Sequence, residues 1–303
     1  FNFEAKMNEN GNIKINGLLH DKEYVLTETK PADGFVSATD ISFMLKLKIE
    51  KADYLTQIFI KENEKFVPAI SNKLVMYDDT TKIEFSKTEI TGEKEIPGCE
   101  LEVTDKETGR IMDKWTSSKD KHIVEGKYVV GKTYMFTEKR PASGFATAES
   151  VEFKISDTGN IQQVSMKDDT IKIQFSKIAS DTKKLLPGAK YKVLDSKGKK
   201  VCEFTTKKKE TALNGILCAG ETYTFVEHQA PKHYKKAKNV KITVKDTGKI
   251  QKIKVVDERI PEVPDTPQTG YNKSIYLYVL ALLFGIGTVS YTHLRAHETT
   301  LHL

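Results

Sequence analysis

Ile83-Glu84-Phe85-Ser86-Lys87 returns as Ile173-Gln174-Phe175-Ser176-Lys177, after 173 − 83 = 90 residues. Ile96-Pro97-Gly98-Cys99 comes back as Leu186-Pro187-Gly188-Ala189 at the same spacing. Tyr134-Met135-Phe136-Thr137-Glu138 comes back as Tyr223-Thr224-Phe225-Val226-Glu227, and Asp157-Thr158-Gly159-Asn160-Ile161 as Asp246-Thr247-Gly248-Lys249-Ile250, each 89 residues on. Self-similarity at a fixed period marks tandem copies of one structural unit. Two units follow, 81–170 and 171–259.

A third copy is read over residues 1–80. Tyr24-Val25-Leu26-Thr27-Glu28 and Lys30-Pro31-Ala32-Asp33-Gly34-Phe35 match the segment that ends in Glu138 and Arg140-Pro141-Ala142-Ser143-Gly144-Phe145. Leu74-Val75-Met76-Tyr77-Asp78-Asp79 matches Val164-Ser165-Met166-Lys167-Asp168-Asp169. From Glu28 to Asp78 is 78 − 28 = 50 residues, against 168 − 138 = 30 in the next copy, so this copy carries an insertion. Its opening strand is expected before residue 1, which makes 1–80 a truncated domain.

Within each copy, short β-branched and aromatic runs of alternating polarity are separated by Gly, Pro, Asp and Asn turns. No long stretch has helical period. The pattern predicts an all-β chain of tandem small antiparallel β-sandwiches. Net charge is 48 − 42 = +6, with 30% of residues charged and both signs spread along the chain. Nucleic-acid binding wants a concentrated basic face, so that class is excluded. Three cysteines and seven scattered histidines are too few for a disulfide scaffold or a Cys/His zinc centre. No cofactor and no metal are expected.

In a strand, residues i, i+2 and i+4 share a face. Ile83, Phe85 and Lys87 therefore share one; Tyr134, Phe136 and Glu138 another; Val164, Met166 and Asp168 a third. The second copy repeats this with Ile173/Phe175/Lys177, Tyr223/Phe225/Glu227 and Ile253/Val255/Asp257. The upstream copy keeps Tyr24/Leu26/Glu28 and Leu74/Met76/Asp78. Each complete repeat thus aims one Lys, one Glu and one Asp at its apolar core. A charge at a strand end can also turn out to solvent, but three such positions recurring in two copies favour convergence. Lys, Glu and Asp are rarely buried unless paired.

Burial pushes amines and carboxyls towards their neutral forms, and a neutral amine is a nucleophile. Held against a carboxyl carbon in dry surroundings, it has the effective molarity of an intramolecular reactant. A neighbouring Glu can shuttle the protons while water is lost. The expected product is a Lys–Asp amide that ties the first strand to the last, formed once per domain and without turnover.

Phe-Ser-Lys at 85–87, Pro-Gly at 97–98, Phe-Thr-Glu-x-x-Pro-x-x-Gly-Phe at 136–145 and Met-Lys-Asp at 166–168 resemble CnaB-type (prealbumin-like, SpaA-like) isopeptide-forming domains of Gram-positive sortase-anchored surface proteins. The resemblance implies a crosslink from Lys87 to Asp168 assisted by Glu138, and from Lys177 to Asp257 assisted by Glu227. In the upstream copy it implies the assisting role for Glu28 and the crosslink role for Asp78, whose Lys is expected beyond residue 1. The second copy departs from the motif at Pro231-Lys232-His233-Tyr234, with His233 where the others have Gly. Cys99 shares a face with Leu101 and Val103 and reads as a buried apolar residue. Cys202 and Cys218 lie in one domain and could pair.

After Asp257 come a Pro-rich linker at 260–273 and Pro267-Gln268-Thr269-Gly270, then an apolar segment at 274–290. That order resembles a sortase sorting signal, which implies cleavage between Thr269 and Gly270 and attachment to peptidoglycan. The apolar segment is expected to be a hydrophobic helix that spans the membrane only as a sorting intermediate. Residues 291–303 resemble a translated sequencing-library adaptor and are set aside as non-native. The expected function is the stalk of a cell-wall-anchored adhesin-type surface protein. Two alternatives are a sortase-polymerised pilin, for which no Tyr-Pro-Lys acceptor motif is found, and the display stalk of an enzyme whose head lies outside this sequence. The ligand of such a head is not specified by these residues, and no turnover chemistry is found in them.

Overall fold

The computed structural model describes residues 4–51 and 53–262 of the chain. The sorting motif at 267–270 and the apolar segment at 274–290 lie outside the described residues. Among the described residues, no helix is long and apolar enough to cross a membrane.

The first complete repeat has seven strands: β5 (Lys82–Glu89), β6 (Glu100–Asp105), β7 (Ile111–Thr116), β8 (His122–Glu125), β9 (Thr133–Arg140), β10 (Val151–Lys154) and β11 (Ile161–Asp168). They form two sheets, ordered β10-β9-β6-β7 and β11-β5-β8. The second repeat has the same seven: β12 (Ile173–Ala179), β13 (Lys190–Leu194), β14 (Lys200–Thr205), β15 (Thr211–Ala212), β16 (Thr222–Gln229), β17 (Val240–Thr243) and β18 (Gln251–Asp257). Their orders, β14-β13-β16-β17 and β15-β12-β18, reproduce the first repeat. The expected all-β tandem architecture is what the chain adopts.

Sequence alternation becomes burial alternation. Ile83, Phe85 and Lys87 on β5 are buried, with partly exposed residues between them. Phe85 packs against Trp115, Tyr128, Phe136 and Phe153, and Phe175 against Tyr191, Phe204 and Phe225. Each such ring contributes roughly 1.5–3 kcal/mol by leaving water. Most ladders are antiparallel, but in each repeat the first strand pairs with the last in parallel: β5 with β11, and β12 with β18. That pairing sets residues 166 − 87 = 79 positions apart side by side in the first repeat, and 255 − 177 = 78 in the second.

Upstream, β1 (Glu23–Leu26), β2 (Ile41–Glu50), β3 (Asp53–Glu62) and β4 (Lys65–Pro68) form one antiparallel sheet in that order. Tyr24 stands opposite Phe43 as Tyr134 stands opposite Phe153, so β1 and the start of β2 repeat β9 and β10. The insertion is then the rest of β2 with β3 and β4. Residues 74–79, the counterpart of the end of β11, form no strand.

Candidate functional site

Four strands carry the site in each repeat. Lys87 on β5 stands opposite Met166 on the parallel strand β11, which leaves Asp168 two residues on and on the same face. Glu138 on β9 stands opposite Leu101 on β6. In the second repeat Lys177 stands opposite Val255, with Asp257 two residues beyond, and Glu227 opposite Tyr191. Both β6 and β13 shift register one residue before the position facing the glutamate, between Glu100 and Leu101 and between Lys190 and Tyr191. Such irregularities re-aim side chains next to functional sites.

The three charges meet in both repeats. Lys87 Nζ contacts Asp168 Oδ1 and lies 3.0 Å from Glu138 Oε1. Lys177 Nζ contacts Asp257 Oδ1 and lies 3.0 Å from Glu227 Oε2. The lysines are 1% and 2% exposed, and the four acids 4% or less. Removing ions from water at this depth costs several kcal/mol per ion, so the sites are held by the surrounding fold and by their own pairing.

Burial is the leading influence on the aspartates. It pushes the carboxyls of Asp168 and Asp257 up to about 6, against the opposing pull of Lys87 and Lys177 and with added repulsion from Glu138 and Glu227. Both acids are thereby drawn towards the protonated form, whose carbonyl carbon is the better electrophile.

One contact orients each glutamate and is invisible in the strand pattern. The Ala148 N–H donates to Glu138 Oε2 at 2.7 Å, the Ala237 N–H to Glu227 Oε2 at 2.7 Å, and the Ala38 N–H to Glu28 Oε2 at 2.9 Å. In all three copies the donor lies ten residues beyond the acid. In the first repeat the other oxygen, Glu138 Oε1, is the one that faces Lys87 Nζ; in the second, Glu227 Oε1 is buried with no hydrogen-bond partner. A buried acceptor without a donor carries the full desolvation penalty. In the upstream copy Glu28 is half-buried in the same arrangement, whereas Asp78 is exposed.

The neighbours of the triads differ. Lys177 Nζ donates to Tyr191 Oη at 2.7 Å, and Leu101 occupies the corresponding place in the first repeat. Cys99, fully buried, puts its Sγ 3.9 Å from Asp168 Oδ2, where the second repeat has Ala189. Burial pushes the Cys99 thiol up to about 11, so it stays protonated. Cys99, Glu138 and Asp168 are close enough to ligate one metal ion, but Lys87 Nζ already touches both acids. Cys202 and Cys218 are both free.

Comparison with known proteins places the repeats. The SpaA prealbumin-like fold domain family matches residues 81–170 and 171–259. Among solved structures, the shaft pilin SpaA from Lactobacillus rhamnosus GG is 16% identical over 61% of this chain and 99% of its own, at a TM-score of 0.31. The Bacillus anthracis TIE protein is 17% identical over 78% of this chain and 51% of its own, at 0.36. A C-terminal fragment of the pilus adhesin SpaC from Lactobacillus rhamnosus GG is 14% identical over 61% and 99%, at 0.34. Curated proteins yield no match.

Proposed function

We propose a function on one premise: the chain belongs to the SpaA family of prealbumin-like fold domains, in two tandem copies. It is the stalk of a Gram-positive surface protein, and its repeats are stiffened by internal Lys–Asp amide bonds. The observation that carries this reading is the pair of buried triads, each with a lysine amine in contact with an aspartate carboxyl and a glutamate carboxylate.

The condensation needs no outside reagent. A Lys proton passes to the buried acids, and the neutral amine attacks Cγ of the aspartate. The glutamate then takes the second amine proton and delivers it to the departing hydroxyl. One C–N bond forms, one C–O bond breaks, and one water leaves. A recess lined by Trp115, Ser117, Lys121 and His122 reaches Lys87 in the first repeat and offers that water a way out.

The bonds would close spans of 168 − 87 = 81 and 257 − 177 = 80 residues. By analogy with disulfide loop entropy, each stabilises the fold by about 4.5 kcal/mol. For a tethered protein the mechanical effect matters more. The amide joins the first and last strands, so tension along the chain bypasses the hydrogen-bonded sheet. Attachment to peptidoglycan through Thr269, with the apolar segment in the membrane only during sorting, completes the reading.

The test is proteolysis followed by tandem mass spectrometry. Branched peptides joining the Lys87 segment to the Asp168 segment, and the Lys177 segment to the Asp257 segment, are expected. Recovery of only linear peptides spanning these residues would refute the crosslinks.

A further inference from the structure

The triads leave one repeated feature unused: the contacts by which one domain seats on the next. Gly144, buried at φ +88°, presses against the following repeat so closely that a Cβ there would lie 2.7 Å from the carbonyl carbon of Gly215 and nearer still to its oxygen. Gly34, also buried and at φ +88°, meets Gly126 in the same way, with 2.7 Å to the carbonyl carbon. Real side chains do not tolerate such approaches, so each joint requires glycine on the entering loop.

Four further contacts recur at both joints. The Ser37 N–H donates to Asp157 Oδ1 at 2.7 Å, and the Thr147 N–H to Asp246 Oδ1 at 2.8 Å. The Thr81 N–H donates to the Gly34 carbonyl at 2.9 Å, and the Ile171 N–H to the Gly144 carbonyl at 2.8 Å. Asp79 and Asp169 lie against Gly159 and Gly248 of the next repeat; a Cβ at Gly248 would fall 2.5 Å from the Asp169 Cβ, and one at Gly159 would push on the Asp79 carboxylate. The same aspartates pair with Lys82 and Lys172, at 2.8 and 2.6 Å. Ala146, on the entering loop of the first repeat, is buried in the core of the second.

The second repeat's own exit loop has the same backbone and different residues. His233 holds φ +68°, and its carbonyl accepts the Ile260 N–H at 2.8 Å, the bond that Gly34 and Gly144 also make. A side chain therefore fits this loop where no other described repeat docks on it: among the described residues His233 is exposed, whereas Gly34 and Gly144 are buried. Pro261 stands where Lys82 and Lys172 close the aspartate pair. Instead, Tyr234 Oη donates to Asp181 at 3.0 Å and Arg259 pairs with Asp181 at 3.2 Å, so polar groups at this end are satisfied within the repeat.

We infer that the Pro-x-x-Gly-Phe exit loop and the Gly126/Asp157–Gly159 or Gly215/Asp246–Gly248 turns form a residue-coded interlock whose partner is another repeat, and that His233 and Pro261 make 171–259 a terminal repeat that accepts no successor. The interlock aligns successive domains and bars rotation between them. It does not rest on the condensation chemistry.

Hydrogen exchange on the full chain, read by mass spectrometry, tests it. Segment 144–149 should exchange at least about tenfold more slowly than its counterpart 233–238. Gly144→His, which copies the terminal repeat, should abolish that difference and also speed exchange at 243–249 across the joint. Asp246→Ala, on an exposed turn, should speed exchange at 144–149 without disturbing either core. Gly98→Ala, at φ +94° with no neighbour within 4 Å, controls for backbone strain and should leave both segments unchanged. Equal exchange at 144–149 and 233–238 in the unmodified chain would overturn the inference, as would no response at 144–149 to Asp246→Ala. Intact mass taken in parallel reports the crosslinks separately, so the two proposals fail independently.

Discussion

The two complete repeats share seven strands, two sheet orders and one triad, yet they surround that triad differently. In the first, Leu101 and Cys99 flank the Lys87–Asp168 pair; in the second, Tyr191 hydrogen-bonds Lys177 and Ala189 replaces the thiol. What does not vary is the Lys, the two acids and the alanine N–H that orients the glutamate. The contrast separates what the proposed condensation would need from what merely fills space around it. The upstream copy adds a third case, in which the glutamate keeps its N–H donor while Asp78 is exposed.

The largest break in the comparison comes from deleting one electrophile. Asp168→Ala would remove the proposed bond and leave Lys87 buried with one acid, so unfolding free energy should fall by about 4 kcal/mol or more. Denaturant titration should show this loss in the first repeat, with the second unaffected. A change under about 1 kcal/mol would mean that no bond forms there.

Glu138→Ala separates pairing from condensation, because it keeps Lys87 and Asp168 while removing the proton shuttle. The unreacted first repeat should then show the raised Asp168 acid in its stability. An aspartate held up to about 6 in the folded state binds its proton more tightly than the unfolded chain does. Its stabilising effect is fully present below the ordinary value near 4 and is lost as pH rises through about 6. Burial, the main cause, survives the substitution. This variant should therefore gain on the order of 2 kcal/mol between pH 7 and pH 4 in that repeat relative to the crosslinked protein, measured by thermal unfolding. The opposite slope would contradict the buried acid.

Two smaller changes make the repeats more alike. Tyr191→Phe removes a hydrogen bond that the first repeat never had, so both bonds should still form and stability should fall by about 1 kcal/mol. Failure of the second bond in this variant would give the phenol a role in the reaction. Cys99→Ala copies the second repeat. It should leave both bonds intact and cost about 1 kcal/mol or less for the small void, as read by unfolding.

Much of this was legible before any coordinates. A two-residue period alone put Lys87, Glu138 and Asp168 on inward faces, and the ninety-residue recurrence made solvent-facing strand ends an unsatisfactory explanation. The parallel pairing of first and last strands was not legible, because alternation reports a strand's faces and not its neighbour. Ala148 and Ala237 were equally hidden, since they act through backbone N–H groups that any residue but proline supplies. Nothing in the repeat pattern marked Tyr191, whose hydroxyl accepts from Lys177 Nζ once the strands are folded together. His233 was visible as a departure from the motif, but its meaning needed the neighbouring domain, which the glycines at 34 and 144 touch and the histidine does not.

The most direct test is the intact mass of the whole chain after folding, set against the mass summed from its sequence. Two condensations predict a protein lighter by two molecules of water, by one in Glu138→Ala, and by none when Glu227→Ala is added. A folded chain at its full summed mass would contradict the self-crosslinking reading in both repeats.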